Sequence, residues 1–226
     1  MDQKIESLQP NIYIDKVDKE IKLDPGELGA TLECIITDKD GNSRVVYHDK
    51  AKSFVRQFME ILATQVTQMT DYGYNYENIA WIYARDWGNV QNQILRDNYS
   101  FKSTAGVGEL YGIMVGTGST PPTINNYVME AVIAHGGGVG QLQFSAVSFG
   151  APASNVNTSQ FTITRNFANA SGGTITIYEI GLYTYPYWGR VATYYYCLTI
   201  RDVIGVGVVI LNGETLTINY RLQAVI

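Results

Sequence analysis

The stretch FTITRNFANASGGTITIYEIGLY, Phe161 to Tyr183, constrains the fold of this chain more than any other. Phe161, Ile163, Arg165 and Phe167 alternate with Thr162, Thr164 and Asn166, so a strand here has one apolar face and one polar face. Ser171-Gly172-Gly173 follows, and glycine accepts the positive φ of a tight turn. Ile175 and Ile177 then restart the alternation. The stretch therefore reads as two strands joined in a hairpin, packed on one side only.

The rest of the C-terminal half repeats this pattern. Alternating or continuous apolar runs predict strands over 109–116, 127–134, 141–149, 160–168, 174–184, 192–201, 204–211 and 215–225. In the last of these, Leu216, Ile218, Tyr220, Leu222 and Ala224 share the inward face. Asn212-Gly213 is a further hairpin signal. About eight short strands with Gly, Asn and Ser turns indicate a mainly β chain, an antiparallel β-sandwich of jelly-roll-like form.

The N-terminal half is organised differently. Residues 1–30 read as an extended arm, broken by Pro10, Pro25 and Gly26, in which Ile12, Ile14, Ile21 and Leu23 could pair with a neighbouring sheet edge. A mobile terminus is the plain alternative. Its first ten residues lack an apolar core, so no signal peptide is expected. Residues 31–48 read as a hairpin around Asp40-Gly41. Residues 49–68 predict one amphipathic helix, capped by Asp49, with Phe54, Phe58, Ile61, Leu62 and Val66 on one stripe. Residues 71–104 are dense in aromatics, which suit either an interface or the filling between helix and sheet. The expected division is an arm over 1–30, a hairpin-helix module over 31–106 packed on the body, and the sandwich over 107–226.

Chemistry-bearing patterns are sparse. Asp38, Asp40 and Asn42 have alternate spacing, but aligning Gly41 with the sixth position of a calcium loop puts Ile36 and Tyr47 where carboxylates are required. Gly116-Thr-Gly118 and the glycine run at 136–140 lack the Lys-Ser/Thr and the helix start of a phosphate loop. His48 and His135 have no ligand-spaced partners. A Gly-x-Ser-x-Gly elbow is absent. Residues 151–226 hold three carboxylates, Glu179, Asp202 and Glu214. Glu179 sits mid-strand, where its ordinary role is to pair with a buried arginine such as Arg165 or Arg201. No catalytic residue, metal or cofactor is expected. Cys34 and Cys197 lie in apolar strand-like settings and are expected as buried free thiols.

Charge distribution points the same way. The net charge is −5, with no basic stripe for nucleic acid, and no apolar run is long enough to span a bilayer. Residues 1–50 carry 7 Lys/Arg and 11 Asp/Glu, whereas residues 151–226 carry only 4 Arg and 3 acids. A charge-poor surface with 17 tyrosines in the chain suits contact with other proteins, because interface cores are depleted in charge and rich in tyrosine. A hydroxyl-rich soluble sandwich remains the alternative. The candidate contact residues are Ile12, Ile14, Ile21 and Leu23 in the arm, and Tyr185, Tyr187, Tyr194 and Tyr196. If the chain instead binds carbohydrate, Trp81, Trp87 and Trp188, with Tyr185, are the candidate stacking platforms.

Two segments together resemble a family. GIMVGTGSTPPTINNYVMEAVI, Gly112 to Ile133, is similar to the "VGTG…PT…Y" stretch of tailed-bacteriophage virion accessory and tail-collar-fibre-like proteins. The 161–183 stretch resembles their "R.F.N.SGG.ITI.EIGLY" segment. The upstream DKDGNSRVVYHDKAKSFVRQFMEIL resembles the hairpin-and-helix module that precedes them. The resemblance covers about residues 31–226. It implies a virion component with a β-sandwich body and no catalysis, made in the bacterial host cytoplasm. Its partners would be copies of itself and other virion proteins, with a host surface glycan as the alternative. The absence of a fibre shaft after the last strand favours a compact head-decoration, neck or tail accessory subunit.

Overall fold

Pairing between residues far apart in the chain, more than local hairpins, sets the architecture. The computed structural model describes residues 21, 23–51, 53–56, 58–59, 83–85, 91–93, 101, 103, 111–185, 187–188, 193–194 and 196–226. In chain order the strands are β1 (Leu28–Thr37), β2 (Ser43–Ala51), β3 (Tyr83–Arg85), β4 (Gln91–Gln93) and β5 (Gly112–Gly116). Then come β6 (Gln143–Phe144), β7 (Ser148–Phe149), β8 (Ala153–Ser154), β9 (Thr158–Ala168) and β10 (Ile175–Thr184). β11 (Tyr187–Trp188), β12 (Thr193–Tyr194), β13 (Cys197–Ile210) and β14 (Thr215–Val225) complete the set. The chain is mainly β, and its strands pair antiparallel.

A seven-stranded sheet runs β2-β1-β14-β9-β6, with β7 and β8 also paired to β9. A three-stranded sheet runs β13-β10-β5. β1 pairs with β14 over its whole length, from Leu28 opposite Ala224 to Thr37 opposite Thr215. The inward faces follow the period of two. Ala30, Leu32, Cys34 and Ile36 of β1, Leu216, Ile218 and Tyr220 of β14, and Ile163, Arg165 and Phe167 of β9 are all buried. They meet Ile175, Ile177, Ile180 and Leu182 of β10 and Leu198, Ile200, Ile204, Val208 and Ile210 of β13 in one core. The shift from odd to even inward positions in β10 coincides with a bulge, where Tyr178 stands opposite residues 204–207 of β13. The same bulge makes one strand, β13, of the two expected over 192–201 and 204–211.

The hairpin expected within 161–183 does not form. β9 pairs with β14 and β10 pairs with β13, so β9 and β10 belong to different sheets. Ser171-Gly172-Gly173 is a corner between the sheets. Asn212-Gly213 is a second corner beside it, since Ala168 pairs with Thr215 before the bend and Ile175 with Ile210 after it. Side chains hold the two corners together. Asn169, 1 % exposed, donates through Nδ2 to Gly173 O at 2.8 Å and to Ile210 O at 2.9 Å. Its Oδ1 accepts from the Ser171 hydroxyl at 2.7 Å, and Gly172 N–H donates to Asn212 Oδ1 at 2.9 Å. Residues 158–225 are thus one long two-stranded ribbon, folded over at its middle. Asp40-Gly41 does form the expected hairpin, between β1 and β2. Asp38 serves that turn, accepting from Asp40 N–H and Asn42 N–H at 2.9 Å each.

The helix expected from Asp49 does not begin there. Asp49 pairs with Leu32 inside β2, because the long β1 ladder takes up this backbone as far as Ala51. Residues 53–55 then cross to β13, where Val55 N–H donates to Thr199 O and Arg201 N–H to Ser53 O, each at 3.0 Å. Helical backbone is present at Arg56, Phe58 and Met59. The rest of that expected helix lies outside the described residues.

Two buried polar side chains tie the sheets to each other. Arg165 of β9 donates from Nε to Ser145 O at 2.9 Å, and from Nη1 to Tyr111 O and Ile113 O at 3.0 Å each. Its guanidinium lies 5.0 Å from the Phe144 ring centroid and 5.8 Å from that of Phe167, within cation–π range. Tyr220 of β14 donates to Asp202 Oδ2 of β13 at 3.0 Å. Cys34 and Cys197 are free and buried, as expected. Arg165→Met keeps the volume but takes this donor from the buried Ile113 carbonyl and from the half-buried carbonyls of Tyr111 and Ser145. The expected loss is about 2–4 kcal/mol in urea unfolding, given the cost of unsatisfied buried groups; an unchanged midpoint would show that Arg165 does not join the sheets.

Candidate functional site

β10 presents Glu179, Gly181 and Tyr183 at alternate positions, on the face opposite Ile180 and Leu182. In an ordinary two-sided strand these residues would meet solvent. Here Glu179 and Tyr183 are 0 % exposed, because the segment 117–133 folds across them. Sequence alternation predicts a strand over 127–134, but these residues form a loop with one bridge, Val132 to Gly116. Side chains of β10 take the loop's backbone donors instead. Ala131 N–H donates to Glu179 Oε1 at 2.7 Å, Glu130 N–H to Oε2 at 3.1 Å and Gly118 N–H to Oε1 at 3.3 Å. Met129 N–H donates to the Tyr183 hydroxyl oxygen at 2.7 Å. Burial pushes the pKa of that hydroxyl upward.

Arg201 of β13 completes the charge pairing. Its Nε donates to Glu179 Oε2 at 2.9 Å. Its Nη1 reaches Thr120 O at 3.1 Å and Asn126 Oδ1 at 3.3 Å, while Nη2 lies 3.5 Å from Glu130 Oε2. One ion pair therefore holds both ends of the loop. Glu130 is its outer, half-exposed member. The Thr120 N–H, 2.9 Å from Oε2, and the Thr120 hydroxyl are the larger causes that hold its carboxyl below the usual range, with Arg201 adding to them.

The glycines of this region are spacers for the same contact. A Cβ at Gly116 or Gly118 would lie 2.6 Å from Glu179 Oε1. A Cβ at Gly181 would lie 2.6 Å from the Met129 sulfur. Gly116-Thr-Gly118 thus does what a phosphate loop does, turning backbone toward an anion, but the anion is the chain's own carboxylate. The signal was present in the sequence as the pair VGTG and EIGLY; their contact depends on long-range pairing that neither segment encodes alone.

Of the expected site residues, the structure brings the four tyrosines into two pairs, Tyr185 with Tyr196 and Tyr187 with Tyr194. Ile12, Ile14, Trp81 and Trp87 lie outside the described residues. Ile21 is half-buried, and Leu23 is buried against Gly29, making residues 23–30 part of the body. Lys50 holds this approach through Asp24 at 2.8 Å and Glu27 at 2.9 Å. Tyr185 stacks on Tyr111, with ring centroids 4.4 Å apart, and on Tyr196 at 4.8 Å. Tyr187 and Tyr194 are paired in the short β11–β12 ribbon, with Trp188 opposite Thr193.

The three C-terminal carboxylates do not converge. Glu179 clamps the loop. Asp202 accepts from Tyr220. Glu214 meets Arg44 Nη2 at 3.0 Å and accepts from Leu211 N–H at 2.8 Å. His135 Nδ1 accepts from Phe144 N–H at 3.0 Å. Among the described residues no cluster of His, Cys, Asp and Glu could hold a metal ion, and no helix is long and apolar enough to cross a membrane. No family model, curated protein or solved structure matches this chain.

Glu179→Gln turns one acceptor oxygen into a donor facing N–H groups and leaves buried Arg201 with only the half-exposed Glu130 as counter-charge. The expected loss is about 3–5 kcal/mol, the range for breaking a buried pair. Faster amide exchange over 117–131 should accompany it; protection equal to the wild type would refute the clamp. Gly118→Ala should cost about 1–3 kcal/mol by overpacking against Glu179 and Glu130, read in the same unfolding assay. Because the Glu130 pKa is lowered, its contribution is complete above the ordinary glutamate range and is lost as pH falls through the lower folded value. Exchange at Thr120 should therefore rise only in acid, and Glu130→Gln should remove that pH dependence.

Proposed function

We propose that this chain is a non-enzymatic structural subunit of a tailed-bacteriophage virion, a head-decoration, neck or tail accessory protein. It works by many weak, repeated contacts with copies of itself and with other virion proteins, which together give avidity. The observation that carries this reading is the Glu179–Arg201 clamp. It joins the two segments whose sequences resemble virion proteins, 112–133 and 161–183, so the resemblance follows one interlocked structural unit. VGTG supplies the space, EIGLY supplies the carboxylate, and neither is arranged for chemistry.

Further features support the same reading. The carboxylates after residue 150 are committed to the loop, to Tyr220 and to Arg44. The charge-poor segment after residue 150 carries apolar side chains in the open, with Val206 76 % and Val156 89 % exposed. We read the folded ribbon as a jelly-roll-like sandwich, since β9 to β10 and β13 to β14 each change sheets at a corner. The alternative of a host-glycan module draws no support from Tyr185, whose ring is engaged by Tyr111 and Tyr196.

The test is incorporation. Purified particles of the source phage, analysed by quantitative mass spectrometry, should contain the chain at a fixed copy number per particle. Absence from particles would refute the proposal. Deleting residues 2–20 removes Ile12 and Ile14 while sparing Leu23 and β1. The shortened protein is expected to fold with an unchanged unfolding midpoint and to lose occupancy on particles; full occupancy would exclude the arm as a contact.

A further inference from the structure

The two corners of the folded ribbon carry a reactive dipeptide. Asn212-Gly213 lies in a four-residue turn closed by Glu214 N–H donating to Leu211 O at 3.0 Å, with Gly213 at φ +88°. Both residues are exposed to solvent, so base and water reach them. An asparagine followed by glycine is prone to one reaction. The glycine nitrogen, unhindered by a side chain on its own residue, attacks the asparagine Cγ. A C–N bond closes a succinimide, the side-chain nitrogen leaves as ammonia, and water opens the ring to aspartate or isoaspartate.

Each reacting group is held by the neighbouring corner. The Gly213 N–H, which must lose its proton to attack, donates to Asn169 O at 2.7 Å. The Asn212 side chain, which must turn toward Gly213, accepts from Gly172 N–H through Oδ1 at 2.9 Å. Both anchors belong to the 169–174 corner, whose shape is set by the buried Asn169 side chain. We propose that Asn212-Gly213 is a masked deamidation site, protected while the two corners stay clasped and reactive when they part. Isoaspartate adds a carbon to the backbone inside the turn, so it would displace the Glu214 carbonyl that accepts from Asn169 N–H at 2.9 Å. The conversion would then hold the corner open. Reaction follows the open population when opening and closing are fast.

The experiment is peptide mapping by mass spectrometry after incubation at mildly alkaline pH. Folded protein and protein kept unfolded in urea are compared in the same buffer and urea-corrected against an Asn-Gly model peptide. Conversion at Asn212 is expected to be slower in the folded protein by an order of magnitude or more. Equal rates would overturn the proposal. Asn169→Ala should raise the folded rate several-fold toward the unfolded one. If that variant does not fold, Ser171→Ala, which removes only the hydroxyl bond to Asn169 Oδ1, should give a smaller rise in the same direction. A variant that folds and keeps the slow wild-type rate in both cases would show that the clasp is not the mask.

Discussion

A single carboxylate organises the outer side of the small sheet. Glu179 has no solvent, and burying a charge in that way is costly unless it is paired and hydrogen-bonded. Three backbone donors and Arg201 meet that demand. The same contacts fix a loop that has little apolar anchorage beyond Met129 and Ile133. Removing the carboxylate would release the loop, strand a guanidinium and uncover β5, whose five residues are all buried under this arrangement. The clamp also leaves no room for a Cβ at Gly116 or Gly118 without displacing Glu179.

The interior uses polar groups in a second way. Arg165 and Tyr220 cross between sheets whose contact is otherwise apolar. Apolar packing is non-directional, so two flat faces can slide. A guanidinium on three carbonyls and a phenol on one carboxylate cannot. They select one relative placement of the sheets.

How far the sequence could be read depended on the range of the interaction. Period-two alternation located β9, β10 and β14 and their inward positions as far as Tyr220, because burial on one side is a local pattern; it did not show the switch at the β10 bulge, and Ala224, expected inward, is exposed at the end of β14. The buried thiols and the structural role of Glu179 were legible for the same reason. Partner choice was not. Ser171-Gly172-Gly173 and Asn212-Gly213 have the residues of hairpin turns, and a corner uses the same positive-φ glycines. What distinguishes them is Asn169 bonding across to the other corner, a contact between segments some forty residues apart. The 127–134 loop looked like a strand because Met129 and Ile133 do face inward; the N–H groups of Met129, Glu130 and Ala131, however, found side-chain acceptors. Asp49 had the chemistry of a helix cap, but its backbone was already committed to the β1 ladder.

The folded ribbon has a consequence for how the chain reaches this state. β11 and β12 pair between β10 and β13, and pairing can propagate from there through β10 and β13 to the corners. Closing that one loop then brings β9 and β14 into register without a second search, because the strands enter the bend already side by side. The entropic cost of closure grows only slowly with loop length, so one closure serves two sheets. β1 must still find β14 across most of the chain, and such distant pairing is slow. Until β1 docks, the edge of β14 that it covers has no partner strand.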